Sequence, residues 1–190
     1  MRLLMLGAPG SGKGTQARRL GEHFEVAHLS TGEMLRAEIA AGTPLGREVK
    51  DIVAAGDLVP DDIVERLVHD RVLEASRHGG YVLDGFPRTI HQAVAAYDIA
   101  KEADATVHAV VHLYVPEDEL LTRLLGRGEA RLDDDALTIR HRLEVYHERT
   151  EPLINYYEGR GVLATIDGRQ QVDDVFTTIL ERLREYAPAD

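Results

Sequence analysis

The chain has 190 residues, 44% of them hydrophobic, and a formal net charge of −11 at pH 7. It is long enough for one large core, and its acidity argues against general binding to nucleic acids or anionic membranes. Cysteine is absent, which excludes disulfides and thiolate zinc sites. The chain also contains no apolar run of the ~20 residues that cross a bilayer, and it begins like a strand rather than a signal peptide. We therefore expect a cytoplasmic enzyme or switch.

The first motif is a glycine-rich segment, GAPGSGKGT at 7–15, between an apolar run and a helix-like run that starts at Gln16. A strand, a glycine turn and a helix N-terminus together form a phosphate cradle. Lys13 would supply a cation for the β- and γ-phosphates. In the usual pattern Ser or Thr follows the lysine, whereas here Gly14 takes that place and the hydroxyl comes at Thr15. We predict phosphate binding without a direct protein ligand to Mg²⁺.

The next stretch interrupts the alternation of strands and helices. Residues 26–30 predict a short strand, and the cap-type residues from Ser30 predict a helix immediately after it. A second helix is predicted to start at Pro44 and to end at Gly56. Because two helices follow one another, we interpret residues 30–59 as an insertion on the rim of the fold.

An aspartate ends the next predicted strand. Asp61 and Asp62 open a helix, and residues 81–84 form an apolar run that finishes at Asp84. A buried strand that ends in aspartate is similar to the second metal-holding element of P-loop proteins. The alternative is that Asp84 only caps the following turn.

The remaining pattern completes an α/β fold. We predict a helix over 89–100, a long central strand over 105–115, a helix over 117–125 and an exposed, mobile loop over 126–135. One long helix over 136–157, a strand over 162–167 and a last helix from Val172 follow. Alternating strands and helices predict a three-layer fold, in which helices flank a five-stranded parallel sheet and ligands bind at the carboxyl ends of the strands.

Arginine supplies almost all of the positive charge, because only three lysines are present, Lys13, Lys50 and Lys101. Arginine binds phosphate through a planar fork and stays charged when desolvated. Six arginines follow glycine turns, end strands or flank the predicted loop: Arg36, Arg88, Arg123, Arg127, Arg131 and Arg142. Any one alone would suit a solvated surface, but the set favours an enclosed polyphosphate site. Two phosphorylated substrates would explain so much charge, with transfer of a γ-phosphoryl group to an acceptor phosphate.

These motifs resemble the adenylate kinase family over nearly the whole chain. They are GAPGSGKGT at 7–15, LSTGEMLR at 29–36, GDLVP at 56–60, LDGFPR at 83–88 with Gln92, GR at 126–127, and RLDD at 131–134 with Arg142. The resemblance implies one nucleoside-monophosphate kinase domain, with a core of 1–29, 60–125 and 137–190, a helical monophosphate-binding insertion at 30–59 and a short lid at 126–136. It also implies reversible transfer of the terminal phosphoryl group of Mg-ATP to AMP, giving two ADP.

The resemblance implies roles for individual residues. ATP would contact Gly10, Ser11, Gly12, Lys13, Gly14, Thr15, Arg123, Arg127 and Gly168. AMP would contact Thr31, Arg36, Asp57, Leu58, Val59, Gly85, Phe86, Pro87, Arg88, Gln92, Arg131 and Arg142. The catalytic set would be Lys13, Arg88, Arg127, Arg131, Arg142 and Asp84. Mg²⁺ would be held through phosphates and water near Thr15 and Asp84. The short lid implies no zinc, and the partners would be ATP, AMP and ADP, bound by a monomer.

Two departures and two alternatives accompany this resemblance. Glu33 replaces the aspartate of most members, and Gln170 stands where some carry lysine. A UMP/CMP kinase of the same fold is one alternative, although Thr31 and Gln92 favour AMP. The other is a non-catalytic ATP-binding regulatory protein, which would lack the acceptor-side arginines that this chain has.

Overall fold

The computed structural model describes residues 1–126 and 135–186. Five parallel strands form one sheet: β1 (Arg2–Leu6), β2 (Ala27–Ser30), β3 (Tyr81–Asp84), β4 (Ala109–Tyr114) and β5 (Leu163–Asp167). Their spatial order is β2-β3-β1-β4-β5, which places β1 at the centre. The structure confirms the predicted five-stranded parallel sheet.

Helices connect the strands. The α-helices are α1 (Lys13–Phe24), α2 (Thr31–Ala41), α3 (Pro44–Ala55), α4 (Asp61–Arg77), α5 (Ile90–Glu102), α6 (Glu117–Leu125), α7 (Ala136–Val145), α8 (Leu153–Glu158) and α9 (Val172–Leu183). A π-helical turn spans Tyr146–Thr150, and a 3₁₀ turn spans Arg184–Tyr186. Within the described ranges, no helix is both long and apolar enough for a membrane span.

Side chains of β1 alternate between two cores. Leu3 and Met5 pack in one cluster with Leu20 of α1 and Ile179 of α9. Leu4 and Leu6 point to the opposite face and pack in a cluster with residues of α4 and α8. Because both faces of the sheet are covered, the inner strands β1, β3 and β4 consist mostly of apolar residues.

The register of the strands brings their carboxyl ends to one edge. Met5 of β1 is paired with Asp84 of β3, and Leu6 is paired with His112 of β4. The glycine loop after β1 and the segment 85–88 after β3 therefore leave the sheet side by side.

The starts of α2 and α3 and the end of α3, which were predicted from the sequence after β2, are confirmed. Ser30 caps α2, and its Oγ accepts a hydrogen bond from Glu33 N. Thr43 caps α3 in the same way, with Pro44 at the first helical position. Gly56 ends α3 in the left-handed conformation at φ 81°. The division of the chain into core, monophosphate-binding region and lid stays a prediction.

The predicted single helix over 136–157 is wrong. The structure contains α7, the π-helical turn and α8 instead. Pro152 explains the break, because it has no N–H and its ring would clash with the carbonyl four residues earlier. The backbone widens just before it, and Glu151 N donates to Tyr146 O at 2.9 Å.

The predicted central strand over 105–115 is also corrected. β4 covers only Ala109–Tyr114 and lies between β1 and β5. Its neighbour β1 begins at Arg2, and Ala105 N instead donates to Ala100 O near the end of α5. Most of the predicted loop over 126–135, with Arg127 and Arg131, lies outside the described residues.

Candidate active site

The carboxyl edge of the sheet opens into a polar cleft of about 340 Å³. Its walls come from the glycine loop, the start of α2, the segment after β3 and α7 with the π-helical turn. A second cavity of about 90 Å³ shares Arg36, Arg88 and Arg142 with the cleft. The two cavities therefore form one connected site.

The glycine loop lies at one end of the cleft. Gly12 adopts φ 94° at the N-cap of α1, a conformation that residues with a Cβ rarely take. Lys13 Nζ donates to Ala8 O at 2.9 Å, so the ammonium lies across the loop. Ser11 is only 2% exposed, and its Oγ is buried without a hydrogen-bond partner among the described residues. Together with the helix N-terminus, the loop can bind phosphate.

Two oxygen-bearing side chains lie beside the glycine loop. A Cβ placed on Gly14 would be 3.4 Å from Asp84 Oδ2, so that carboxylate faces the first turn of α1. Thr15 is exposed in the same turn and lines the cleft. Carboxylate and hydroxyl oxygens suit Mg²⁺ and its water ligands. Within the part of the chain that the structure describes, no three His, Asp or Glu side chains cluster in a way that could hold a metal ion.

Positive charge concentrates in the cleft although the protein is acidic. Among the described residues, five basic side chains line the cleft, and they outnumber the two acidic ones, Glu33 and Asp84. The basic residues are Lys13, Arg18, Arg36, Arg88 and Arg142. The cleft can therefore attract anions, and the structure brings together three of the six predicted arginines.

Two of these arginines lie close against glycines. Arg88 Nε donates to Gly85 O at 2.9 Å. The stem of Arg142 passes over Gly56, where an added Cβ would lie 2.7 Å from Arg142 Cγ. Gly56 thus ends α3 and also leaves room for the arginine.

The segment after β3 packs tightly against the start of α2. Gly85 has φ 86°, and a Cβ there would lie 2.5 Å from Thr31 Oγ1. Thr31 Oγ1 donates to Asp84 O at 3.4 Å. Thr150 of the π-helical turn donates through Oγ1 to Arg88 O at 2.9 Å. The segment 85–88 is therefore held by α2 on one side and by the π-helical turn on the other.

The side-chain amide of Gln92 forms hydrogen bonds with two other residues. Its side chain is 1% exposed, Oε1 accepts from Arg88 N at 2.7 Å, and Nε2 donates to Asp61 Oδ1 at 2.6 Å. One N–H and one lone pair remain for another partner. Gln92 lines the smaller cavity with Thr31, Asp57, Leu58 and Val59.

Two residues that were predicted to contact ATP, Arg123 and Gly168, contact each other on the other side of the glycine loop. Arg123 of α6 donates through Nη2 to Gly168 O at 2.9 Å and forms an ion pair with Glu119. A Cβ on Gly168 would lie 3.5 Å from Ser11 O. Neither Arg123 nor Gly168 lines the described cleft, so they adjoin the loop outside it.

Phe86, which was predicted to contact AMP, is also absent from the lining of the cleft. It lines an apolar cavity on the opposite side instead.

Three polar side chains that line the cleft belong to none of the sequence motifs. Arg18 pairs with Glu33 at 3.2 Å, and Tyr146 and Thr150 belong to the π-helical turn. Helical spacing could have identified them, since Arg18 lies four residues after Gly14, and Tyr146 and Thr150 follow Arg142 at intervals of four.

A buried histidine lies behind the glycine loop. Burial lowers the pKa of His112 to about 4, with a smaller lowering from Lys13 that Glu151 opposes. His112 Nδ1 lies 3.3 Å from Thr165 Oγ1. The imidazole is therefore neutral at pH 7 and adds no charge to the site.

Comparison with known proteins is consistent with this geometry. The adenylate kinase family model matches residues 5–162. A protein of Nitrobacter winogradskyi named adenylate kinase is 47% identical, and the alignment covers 97% of this chain and 93% of the relative. Proteins with the same name from Stenotrophomonas maltophilia and Leptospira biflexa are each 45% identical, over 97% and 96% of this chain and 100% and 99% of their own lengths.

Proposed function

The chain belongs to the adenylate kinase family and is a phosphotransferase, and we propose that its cleft transfers the terminal phosphoryl group of Mg-ATP to AMP in an enclosed, arginine-lined site. The observation that carries this proposal is the convergence of five basic side chains beside one glycine loop. Lys13 belongs to the glycine loop, whereas Arg36, Arg88 and Arg142 also line the smaller cavity. Two nucleotides placed end to end would use both groups of charges.

ATP would bind at the glycine-loop end. Its phosphates would lie on the backbone of 10–15, and Lys13 would exchange its contact with Ala8 O for phosphate oxygens. The adenine would lie near Arg123 and Gly168, which adjoin Ser11. An arginine plane stacks well on an aromatic ring, so Arg123 suits that contact.

AMP would bind in the smaller cavity. Arg36 and Arg88 would hold its phosphate, while Thr31, Gln92 and the segment 57–59 would surround the base. The segment 85–88 would form the other wall. Arg142 lines both cavities and would bridge the donor and acceptor phosphates.

The transfer step needs little from the protein beyond alignment and charge. The acceptor phosphate is already ionised, so no general base is required. Arg88 and Arg142 would neutralise the charge that spreads over the transferring group, together with Arg127 and Arg131, which lie outside the described residues. Bound Mg²⁺ would neutralise phosphate charge. Asp84 and Thr15 are the side chains that would hold its waters. Closure of the predicted lid would exclude bulk water.

The experiment mixes the protein with Mg-ATP and AMP, CMP or UMP and measures ADP by chromatography. We expect two ADP for each AMP consumed and much slower turnover with the other monophosphates. Faster turnover with CMP or UMP would favour the UMP/CMP kinase alternative. Absence of ADP with all three would favour the regulatory protein. Action as a cytoplasmic monomer stays a prediction.

Lys13→Met provides the matched negative control. Loss of one charge contact to a transition state costs roughly 10²–10³ in kcat. Lys101→Met removes an exposed lysine from α5 and should leave kcat unchanged. Both variants should keep the circular dichroism spectrum of the parent. If Lys13→Met kept more than about a tenth of the parent kcat, Lys13 would not act on the phosphates.

A further inference from the structure

A second large cavity lies behind the sheet edge, on the side away from the phosphate-binding loop. It has a volume of about 540 Å³ and lies between α4, α5 and β3. Ligand pockets in proteins span about 300–1,000 Å³, so the cavity can hold a small molecule. Phe86 and Pro87 line the cavity and were also predicted to contact AMP, but none of its other lining residues has a role in the proposed transfer.

Apolar side chains form most of the cavity wall. Tyr81 and Leu83 of β3 face it together with Leu4 of β1, and Val68 and Ala93 contribute from α4 and α5. All five of these residues are buried. The Tyr81 hydroxyl donates to Ala105 O at 3.1 Å, which satisfies that polar atom within the protein. Apolar cavities of roughly 150 Å³ bind benzene in other proteins.

One carboxylate oxygen in the wall lacks a hydrogen-bond partner among the described residues. Glu65 of α4 lines the cavity, and its Oε1 is buried without a hydrogen bond to any of them. The neighbouring cation Arg66 is engaged elsewhere, since its Nε donates to Asp62 O at 3.2 Å. His69 likewise lies 3.0 Å from Asp70. A buried carboxylate oxygen without a partner is costly, and a ligand that donates a hydrogen bond would remove that cost.

We propose that this cavity binds a small hydrophobic amine, with an aromatic or branched aliphatic body against the apolar wall and the ammonium group on Glu65. A carboxylate only accepts hydrogen bonds, so the ligand must donate. A cationic donor gains most from a desolvated carboxylate, and the acidic protein attracts cations at a distance. The mouth of the cavity lies where Arg66, His69, Asp70 and Tyr97 are exposed.

The test is a titration of the whole protein with 2-phenylethylamine, followed by ¹³C-methyl NMR. We expect saturable shifts of the methyl groups of Val68, Val72, Leu83 and Val107, which line the cavity. 2-Phenylethanol should bind about tenfold more weakly, because a hydrogen bond between two charged groups is stronger than one to a neutral donor. 3-Phenylpropionate should bind weakest because its charge repels Glu65. Absence of saturable shifts, or equal affinity for the amine and the alcohol, would overturn the proposal.

Two variants locate the ammonium group and the ligand body. Glu65→Gln keeps the size of the side chain but removes its charge, so it should abolish the tenfold preference for the amine. Glu74→Gln, an exposed change on the same helix, should keep it. Ala96→Leu fills the cavity and should weaken both ligands at least about tenfold. Its thermal melt shows whether it is folded.

The titration is repeated with excess AMP, which occupies the proposed monophosphate site. Continued binding of the amine supports a separate cavity, and displacement of the amine by AMP would overturn it. The titration without AMP measures no nucleotide binding or chemistry, so its result does not depend on whether the proposed transfer reaction is correct.

Discussion

His141 Nε2 on α7 lies 2.6 Å from Asp57 Oδ1, in the segment that follows α3. This contact joins the predicted monophosphate-binding region to the predicted core. The hydrogen bond that His141 donates to Asp57 raises the pKa of His141, and the charges of Asp57 and Glu144 add to the effect. Protonated His141 therefore pairs most strongly with Asp57 below its raised pKa, and the ion pair is lost as pH rises through that value.

We expect Asp57→Asn to lower the pKa of His141, measured by an NMR titration of the imidazole resonances. The substituted amide would remove the charge and weaken the hydrogen bond that favours the imidazolium. Asp51→Asn, an exposed change on α3, serves as the control and should leave the titration of His141 unchanged. If both variants titrate like the parent, the contact does not exist in solution.

Gln92→Leu should impair the use of AMP and also destabilise the protein. The change leaves Arg88 N and Asp61 Oδ1 without their present partner, and it removes the group proposed to contact adenine. A buried polar group without a partner costs about 1–3 kcal/mol. We expect kcat/KM for AMP to fall relative to CMP, together with a lower melting temperature. An unchanged ratio would mean that Gln92 supports Arg88 without reading the base.

Arg131→Ala should lower kcat by at least roughly a hundredfold, because an arginine that reaches a transferring phosphoryl group is worth about 10³–10⁵. Arg131 lies outside the described residues. If it only paired with neighbouring aspartates in solvent, the loss would be about 0–1 kcal/mol. Steady-state kinetics and a thermal melt separate these cases. Arg77→Ala, which changes an exposed arginine of α4, is the control. Near-normal turnover of Arg131→Ala would remove that residue from the catalytic set.

His112 should make the protein less stable in mild acid. Its pKa is lowered to about 4 in the folded state and is ordinary in the unfolded state, so unfolded chains take up a proton first as pH falls. Stability from this group is present above pH ~6.5 and is lost between ~6.5 and ~4.

Between pH ~7 and ~5 the loss amounts to about 2 kcal/mol, measured by urea unfolding at both pH values. His112→Gln cannot take up the proton and should lose less stability over that interval by about the same amount. Equal losses in the parent and the variant would show that His112 is protonated in the folded protein.

Local signals in the sequence were sufficient where neighbours along the chain decide the structure. The caps at Ser30 and Thr43 and the end of α3 at Gly56 are confirmed, because each depends on hydrogen bonds within one or two turns. The glycine loop was likewise predictable, since its conformation follows from glycines between a strand and a helix.

Features that depend on contacts between distant parts of the chain could not be predicted from the sequence. Helical periodicity alone predicted one helix over 136–157, whereas the structure breaks it before Pro152 and so places Tyr146 and Thr150 on the cleft. Similarly, composition indicated a β-rich run over 105–115, but β4 covers only Ala109–Tyr114. It pairs with β1 from Ala109 to His112 and with β5 from Val110 to Tyr114.

The sequence by itself predicted a phosphate-binding glycine loop and showed an unusual set of arginines for an acidic protein. Only the tertiary structure decided which charges meet. Arg36, Arg88 and Arg142 come from three separate helices or loops and share one cleft, while Arg123 lies with Gly168 outside it. Phosphate affinity depends on the distances between the charged side chains. Arg36 and Arg142 are more than a hundred residues apart in the sequence, and the order of the parallel strands brings them to the same edge of the sheet.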